Sequence, residues 1–372
     1  KKYIILSIIV LVLLITFVTS FNYFKTSNNY VEDSVNNQTK IIKGISMNLE
    51  QTAGAGDYKT VTQSSWPTEG YKFNTELSRC ENGSTLSWDD SKKAVVMNGN
   101  VSDKCYVYFD KVLTLANYVI SQYTGIQGEN SLYYHDSNLA NGVGDNSYRY
   151  AGASDSVNNY ICLGSDAATC PDDNLFRIIG VFGAQTKVIR AKSVGNQKWD
   201  TSSSNKWSSS SLNTYLNGTY LTSLGTLKNK IATTTWKVGG GTPANISEVV
   251  PATAYKNEVG SSASRTIVNK KIGLMYVTDY YYSASPSAWT LVGYNSSDTT
   301  KDYRVAKTIN WLYLGSIEWT ISCHSGTSYS AFGVGNLGYV SGYFDVSTSS
   351  AVRPTFNLES SVKYVSGSGS MS

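Results

Sequence analysis

The adjacent pair Cys323-His324 is where side-chain types alone could support covalent chemistry in this chain. A thiolate beside an imidazole is how cysteine nucleophiles are activated. The local pattern works against that use. Trp319-Thr-Ile-Ser-Cys323 reads as a strand, and neighbouring residues of a strand point to opposite faces. His324 then faces away from the thiol unless the backbone turns there. The other histidine, His135, is the remaining candidate base, and no sequence feature ties it to this region. A cysteine-dependent cell-envelope enzyme using Cys323 is therefore the alternative reading rather than the leading one.

Other chemistries find less. Two distant histidines and four cysteines suited to disulfides leave no transition-metal cluster. Asp145, Asp155, Asp166, Asp172 and Asp173 are loop-borne acids without the alternating spacing and glycine of a calcium loop. Lys237-Val-Gly-Gly-Gly-Thr lacks the terminal Gly-Lys-Ser or Gly-Lys-Thr of a phosphate loop and reads as a turn. Asp279-Tyr-Tyr-Tyr282 reads as cross-strand packing in preference to a stacking platform. Charge is 31 basic against 27 acidic side chains, net +4, without a lysine or arginine block. Nucleic acid is not an expected partner on that distribution, and no cofactor is expected.

What composition favours is recognition. Twenty-eight tyrosines and 8 tryptophans lie among many Ser, Asn, Thr and Gly residues at only 16% charge. Tyrosine supplies stiff contact area with a polar tip, and the small polar residues supply adaptable hydrogen bonding, although strand propensity alone also enriches tyrosine.

The elements that must position such a surface follow in order. Two lysines precede an apolar run over residues 3–18, which predicts a transmembrane signal anchor over 1–21 with the rest of the chain outside the cell. A cleaved signal peptide is the rival. Residues 22–50 are polar and read as a stalk. Over 51–110, short alternating runs separated by Asn82-Gly83, Asp89-Asp90-Ser91 and Asn98-Gly99 predict a small all-β module. In an oxidising compartment, Cys80 with Cys105 and Cys162 with Cys170 are the natural sequence-near pairs, leaving Cys323 over. From 111 onward, a helix over 112–123, a hairpin over 175–191 around Gly183 and further strands at 231–238, 271–280, 311–322 and 351–358 are expected, separated by long Ser, Gly and Asn segments.

The segments Asp173-Asn-Leu-Phe-Arg-Ile-Ile-Gly-Val-Phe182, Ile272-Gly-Leu-Met-Tyr-Val277, Glu318-Trp-Thr-Ile-Ser322 and Val352-Arg-Pro-Thr-Phe-Asn-Leu358 carry a resemblance. From about Leu113 the chain resembles uncharacterised surface proteins of Gram-positive bacteria. Their C-terminal domain is similar to the C-type-lectin-like fold of formylglycine-generating enzymes and of variable proteins made by diversity-generating retroelements. The resemblance implies an α+β fold class: the transmembrane helix, the small β module, then a lectin-like mixed domain over 111–372 with short helices and long loops. It places a ligand face over 323–350, with Cys323, His324, Tyr329, Phe332, Asn336, Tyr339, Tyr343 and Asp345 as contacts and Trp319 packed beneath them. Formylglycine-generating enzymes use a cysteine pair where this chain has Cys323 alone, and the calcium-binding triplets of true C-type lectins are missing. The expected function is a membrane-anchored extracellular adhesion protein that binds a protein or glycan without catalysis. A pilin-like structural role is the remaining alternative.

Overall fold

The computed structural model describes residues 30–32, 39–41 and 44–370, apart from 63–64, 68–69, 101, 166, 240, 261–265 and 293–305. The chain divides into two compact units, Lys1–Leu113 and Thr114–Ser372.

The first unit is built on the strand Ile45–Glu50, which pairs in parallel with Cys105–Lys111 and antiparallel with Tyr58–Val61. That strand falls within the stretch expected as a polar stalk. Its polarity is misleading, because Asn48 and Glu50 are buried and hydrogen-bonded. Asn48 accepts from Thr60 Oγ1 at 2.8 Å, while Glu50 accepts from the backbone of Gly56 and Lys111 at 2.8 and 2.9 Å. Met47 and Leu49 join Trp66, Phe73, Val107 and Phe109 in a separate small core. Cys80 and Cys105 are directly opposed across paired strands and form one disulfide; Cys162 and Cys170 form the other.

The second unit opens with helix Leu115–Ser121, whose N-cap Thr114 accepts from the Asn117 amide and whose Leu115, Ala116 and Val119 are buried. Beyond it lies a seven-stranded sheet in the order Leu132–His135, Ser147–Tyr150, Leu175–Phe182, Gln185–Arg190, Thr355–Asn357, Ile272–Gly273, with Tyr160–Cys162 also paired to Leu175–Phe182. The inner six residues of Leu175–Phe182 are all buried, Arg177 among them, so both faces of this strand are covered. Gly180 sits at its bulge, where a Cβ would fall 2.2 Å from the Tyr148 carbonyl oxygen. A five-stranded sheet follows in the order Asn196–Lys198, Ser349–Ala351, Glu318–Cys323, Ser330–Val334, Val340–Asp345.

The expected fold class needs correction. The described chain is mostly sheet with few short helices, none longer than the eight residues of Pro251–Glu258. Among the described residues no helix is long and apolar enough to cross a membrane, and residues 1–21, on which the anchor was expected, lie outside those described. Asp279-Tyr-Tyr-Tyr282 belongs not to a strand but to helix Val277–Tyr282, every residue of which is buried. Three tyrosines in a row suit strand propensity, yet Asp279 accepts from the Tyr276 amide at 2.8 Å and closes a capping box that starts a helical turn.

Buried charges tie the layers together. Lys187 meets Asp279 with both side chains almost fully enclosed, its ammonium 4.7 Å from the Tyr276 ring centroid. Arg149 binds Asp145 at 2.7 Å and lies over the Phe182 ring. Arg177 instead donates to Asn159 Oδ1, Ser154 Oγ and the carbonyls of Trp311 and Val157. Burial pushes its pKa down to about 10.

His135 is enclosed between the rings of Tyr282 and Trp289, at 5.1 and 5.2 Å. Burial first, and then the Arg149 charge, push its pKa down to about 3, with Asp145 opposing. The unfolded chain therefore binds a proton here that the folded chain refuses, so stability falls as pH drops from the unfolded pKa of about 6.5 towards the folded one. Comparing His135→Gln with the parent at pH 7 and pH 4 by urea unfolding should show the acid-induced loss reduced by on the order of 2–3 kcal/mol. Equal losses in both proteins would show that this imidazole does not titrate in that range.

Candidate recognition face

The strand Glu318–Cys323 is wholly buried, as is its partner Ser330–Val334. Its start is fixed by charge. Arg353 donates from Nε to Glu318 Oε1 at 2.6 Å and from Nη2 to Oε2 at 2.7 Å, and Nη2 also reaches the Leu312 carbonyl. Desolvation raises the Glu318 pKa, and the guanidinium opposes that rise. At its end, Ser322 Oγ donates to the buried carboxylate of Glu258, which also receives the Val277 and Thr278 amides, each at 2.9 Å. In between, Trp319 Nε1 donates to the Gln197 carbonyl at 2.9 Å and Thr320 Oγ1 to the Phe332 carbonyl at 2.8 Å.

The loop 324–330 leaves this strand under tight control. Asn205 Nδ2 lies within 2.8 Å of the carbonyl oxygens of His324, Thr327 and Ser330, and its backbone amide donates to Ser328. His324 is buried, with its ring stacked on Phe332 at 6.2 Å and tilted against Tyr343 at 5.2 Å. Its Nδ1 accepts the Gly326 amide at 2.8 Å, so the neutral ring carries its proton on Nε2, which is buried and has no hydrogen-bond partner among the described residues. Burial lowers its pKa.

The final hairpin, Ser330–Val334 with Val340–Asp345, puts its second strand at the edge of the sheet. Tyr343 on that strand is 66% exposed and Tyr329, just before the hairpin, 53%. Asn336 and Leu337 project from the connecting turn, Leu337 at 55% exposure. The turn is held from beneath: Tyr313 OH donates to the Asn336 carbonyl at 2.5 Å and Tyr280 OH to the Gly338 carbonyl at 2.9 Å.

The expected contacts therefore separate. Tyr329, Asn336, Tyr343 and Asp345 are exposed, and Tyr339 is half-buried against Phe344. Trp319, expected beneath the face, is fully buried; Phe332 is fully buried as well, and Cys323 and His324 nearly so. These last three cannot be direct contacts in this conformation. Phe332 lies at a bulge in the hairpin register, which breaks the alternation that assigns strand residues to faces. Asp345 spends its carboxylate on its own turn, accepting the Ser347 amide at 2.8 Å and hydroxyl at 2.7 Å, and these bonds hold its pKa down. Leu337 was missed because a lone apolar residue among Gly and Asn carries no periodic signal.

Elsewhere, three of the loop acids are paired with cations: Asp145 with Arg149, Asp172 with Lys192 and Asp173 with Arg190. Asp166 lies outside the described residues. Among the described residues no three His, Cys, Asp or Glu side chains gather as metal ligands. Lys237 donates to the carbonyls of Val259 and Gly260 and is not presented to a phosphate.

Residues 184–360 match the model of a family described as a domain of unknown function (DUF6273). The matched stretch contains both strands of the final hairpin and most of the frame beneath it. No curated protein and no solved structure matches the chain.

The buried pair at Glu318 yields a direct test. Arg353→Met leaves a carboxylate enclosed without its cation and should cost about 3–5 kcal/mol, whereas Glu318→Leu combined with Arg353→Met should cost less than the single change. Chemical denaturation of the three proteins checks this. A single variant as stable as the parent would mean that the pair does not hold the strand.

Proposed function

We propose that the C-terminal unit is a non-catalytic recognition module, working outside the reducing cytoplasm, that captures a protein or glycan through the edge hairpin. The observation that carries this reading is the exposure of Tyr343 on the edge strand and of Tyr329 just before the hairpin, beside the strands Ser330–Val334 and Glu318–Cys323, which are entirely buried. Large aromatic side chains left in water on a rigid support lose little conformational freedom on binding and add contact area. At the turn end of the hairpin Asn336 and Leu337 add an exposed amide and an exposed aliphatic group. The two disulfides favour an oxidising compartment. The patch also falls within the span where the resemblance to retroelement-diversified surface proteins puts the ligand. Against the cysteine-enzyme alternative stand the burial of Cys323 and the engagement of His324 Nδ1 by Gly326.

Probing glycan and protein arrays with the purified protein should give specific capture that Tyr329→Ala with Tyr343→Ala abolishes, while the thermal midpoint moves by less than about 2 °C. Phe332→Ala, by contrast, should cost about 3–5 kcal/mol of stability. Capture that survives in the double tyrosine variant, or a collapse of its midpoint, would remove the face from this role.

A further inference from the structure

The enclosed pair Lys187 and Asp279 is not used by the recognition face, and its surroundings are those of a reaction site. Lys187 lies in the strand Gln185–Arg190, paired on one side with Gly180 and on the other with Asn357. Asp279 lies in the first turn of helix Val277–Tyr282, 92 residues away along the chain. Two elements with fixed backbones thus bring a primary amine and a carboxyl group into hydrogen-bond contact. Side-chain exposure is 7% for the lysine and 3% for the aspartate, so bulk water hardly reaches either group.

Both partners are prepared for each other. The rings of Tyr276, Phe182 and Trp236 stand around the lysine nitrogen at 4.7, 5.5 and 5.6 Å. Desolvation lowers the Lys187 pKa against the pull of Asp279 and Glu258, and the charge of Arg149 pushes in the same direction as desolvation. A lysine dried out near a second cation is a recognised route to a nucleophilic amine. On the acid side, Asp279 Oδ2 accepts the Tyr276 amide at 2.8 Å as well as the lysine. That N–H draws electron density away from the carboxyl carbon. Groups held in contact in this way react as if at an effective concentration of about 10⁵–10⁸ M.

We propose that Lys187 and Asp279 condense within the folded chain to an amide cross-link between Nζ and Cγ. A proton first passes from the ammonium to the carboxylate, leaving an amine and a carboxylic acid. The nitrogen lone pair then forms the bond to Cγ. The oxygen that accepts the Tyr276 amide stays as the new carbonyl, and the other departs as water with two of the ammonium's three protons. Nothing else is consumed. Two enclosed charges disappear and a water molecule is released, which removes the desolvation cost that a buried ion pair carries. The product joins the seven-stranded sheet to helix Val277–Tyr282 by a bond that, unlike the two disulfides, withstands reductant.

Intact-mass spectrometry of the purified chain, denatured and with both disulfides reduced, tests this. The parent should be lighter than its sequence by one water molecule, whereas Lys187→Met and Asp279→Ala should each show full sequence mass. Digestion with trypsin then places the bond: cleavage after Lys187 should be blocked, and the peptides that carry residues 187 and 279 should appear as one branched species. The branched species separates the cross-link from a cyclised aspartate, which also loses water. The parent's own mass and digest carry the answer even if a variant fails to fold. Full sequence mass in the parent, free cleavage after Lys187, or a water loss that persists in Lys187→Met would each overturn the proposal.

Discussion

Glu318 and Arg353 form the contact on which the arrangement of the second unit rests. Arg353 lies where the chain leaves Ser349–Ala351 in the five-stranded sheet and enters Thr355–Asn357 in the seven-stranded one. Its guanidinium grips the first residue of the strand that pairs with the final hairpin. Two enclosed charges are tolerated only because each oxygen of the carboxylate has its own donor and the arginine has a carbonyl besides. An apolar pair could match the stability. It would not fix the two sheets' strands in angle and register in the way that two parallel hydrogen bonds do.

The same logic recurs above that contact. Asn205 gathers three carbonyl groups of loop 324–330, Tyr313 and Tyr280 hold the hairpin turn, and Glu258 secures the far end of the central strand. Polar atoms buried under the face are nearly all spent on holding backbone. His324 Nε2 and Thr327 Oγ1 are exceptions, both within this one loop. Of the side chains above it, Tyr343 rests its ring against His324, while Tyr329, Asn336 and Leu337 have no part in this bracing.

Much of this was legible in the sequence, and the failures have physical causes. The disulfide pairs followed from proximity, the helix after Thr114 from its apolar spacing, and the hairpin about Gly183 from the turn between two apolar runs. The strand Ile45–Glu50 was hidden because its buried Asn48 and Glu50 look solvated until their partners across the sheet are known. Helix Val277–Tyr282 was hidden because a local cap outweighed strand propensity. Among the expected contacts, alternation could not tell Phe332 from Tyr343. Which face of an edge strand meets water is decided by the neighbour, and a bulge shifts the count.

The central claim is that a fixed frame holds replaceable side chains towards solvent. Saturation mutagenesis of residues 318–353 in a displayed protein, read out as resistance to proteolysis, tests it without knowledge of the ligand. Tyr329, Asn336, Leu337 and Tyr343 should accept most substitutions, whereas Glu318, Trp319, Phe332 and Arg353 should accept few. If Tyr329 and Tyr343 prove as intolerant as Phe332, those rings are holding the fold together and the account is contradicted.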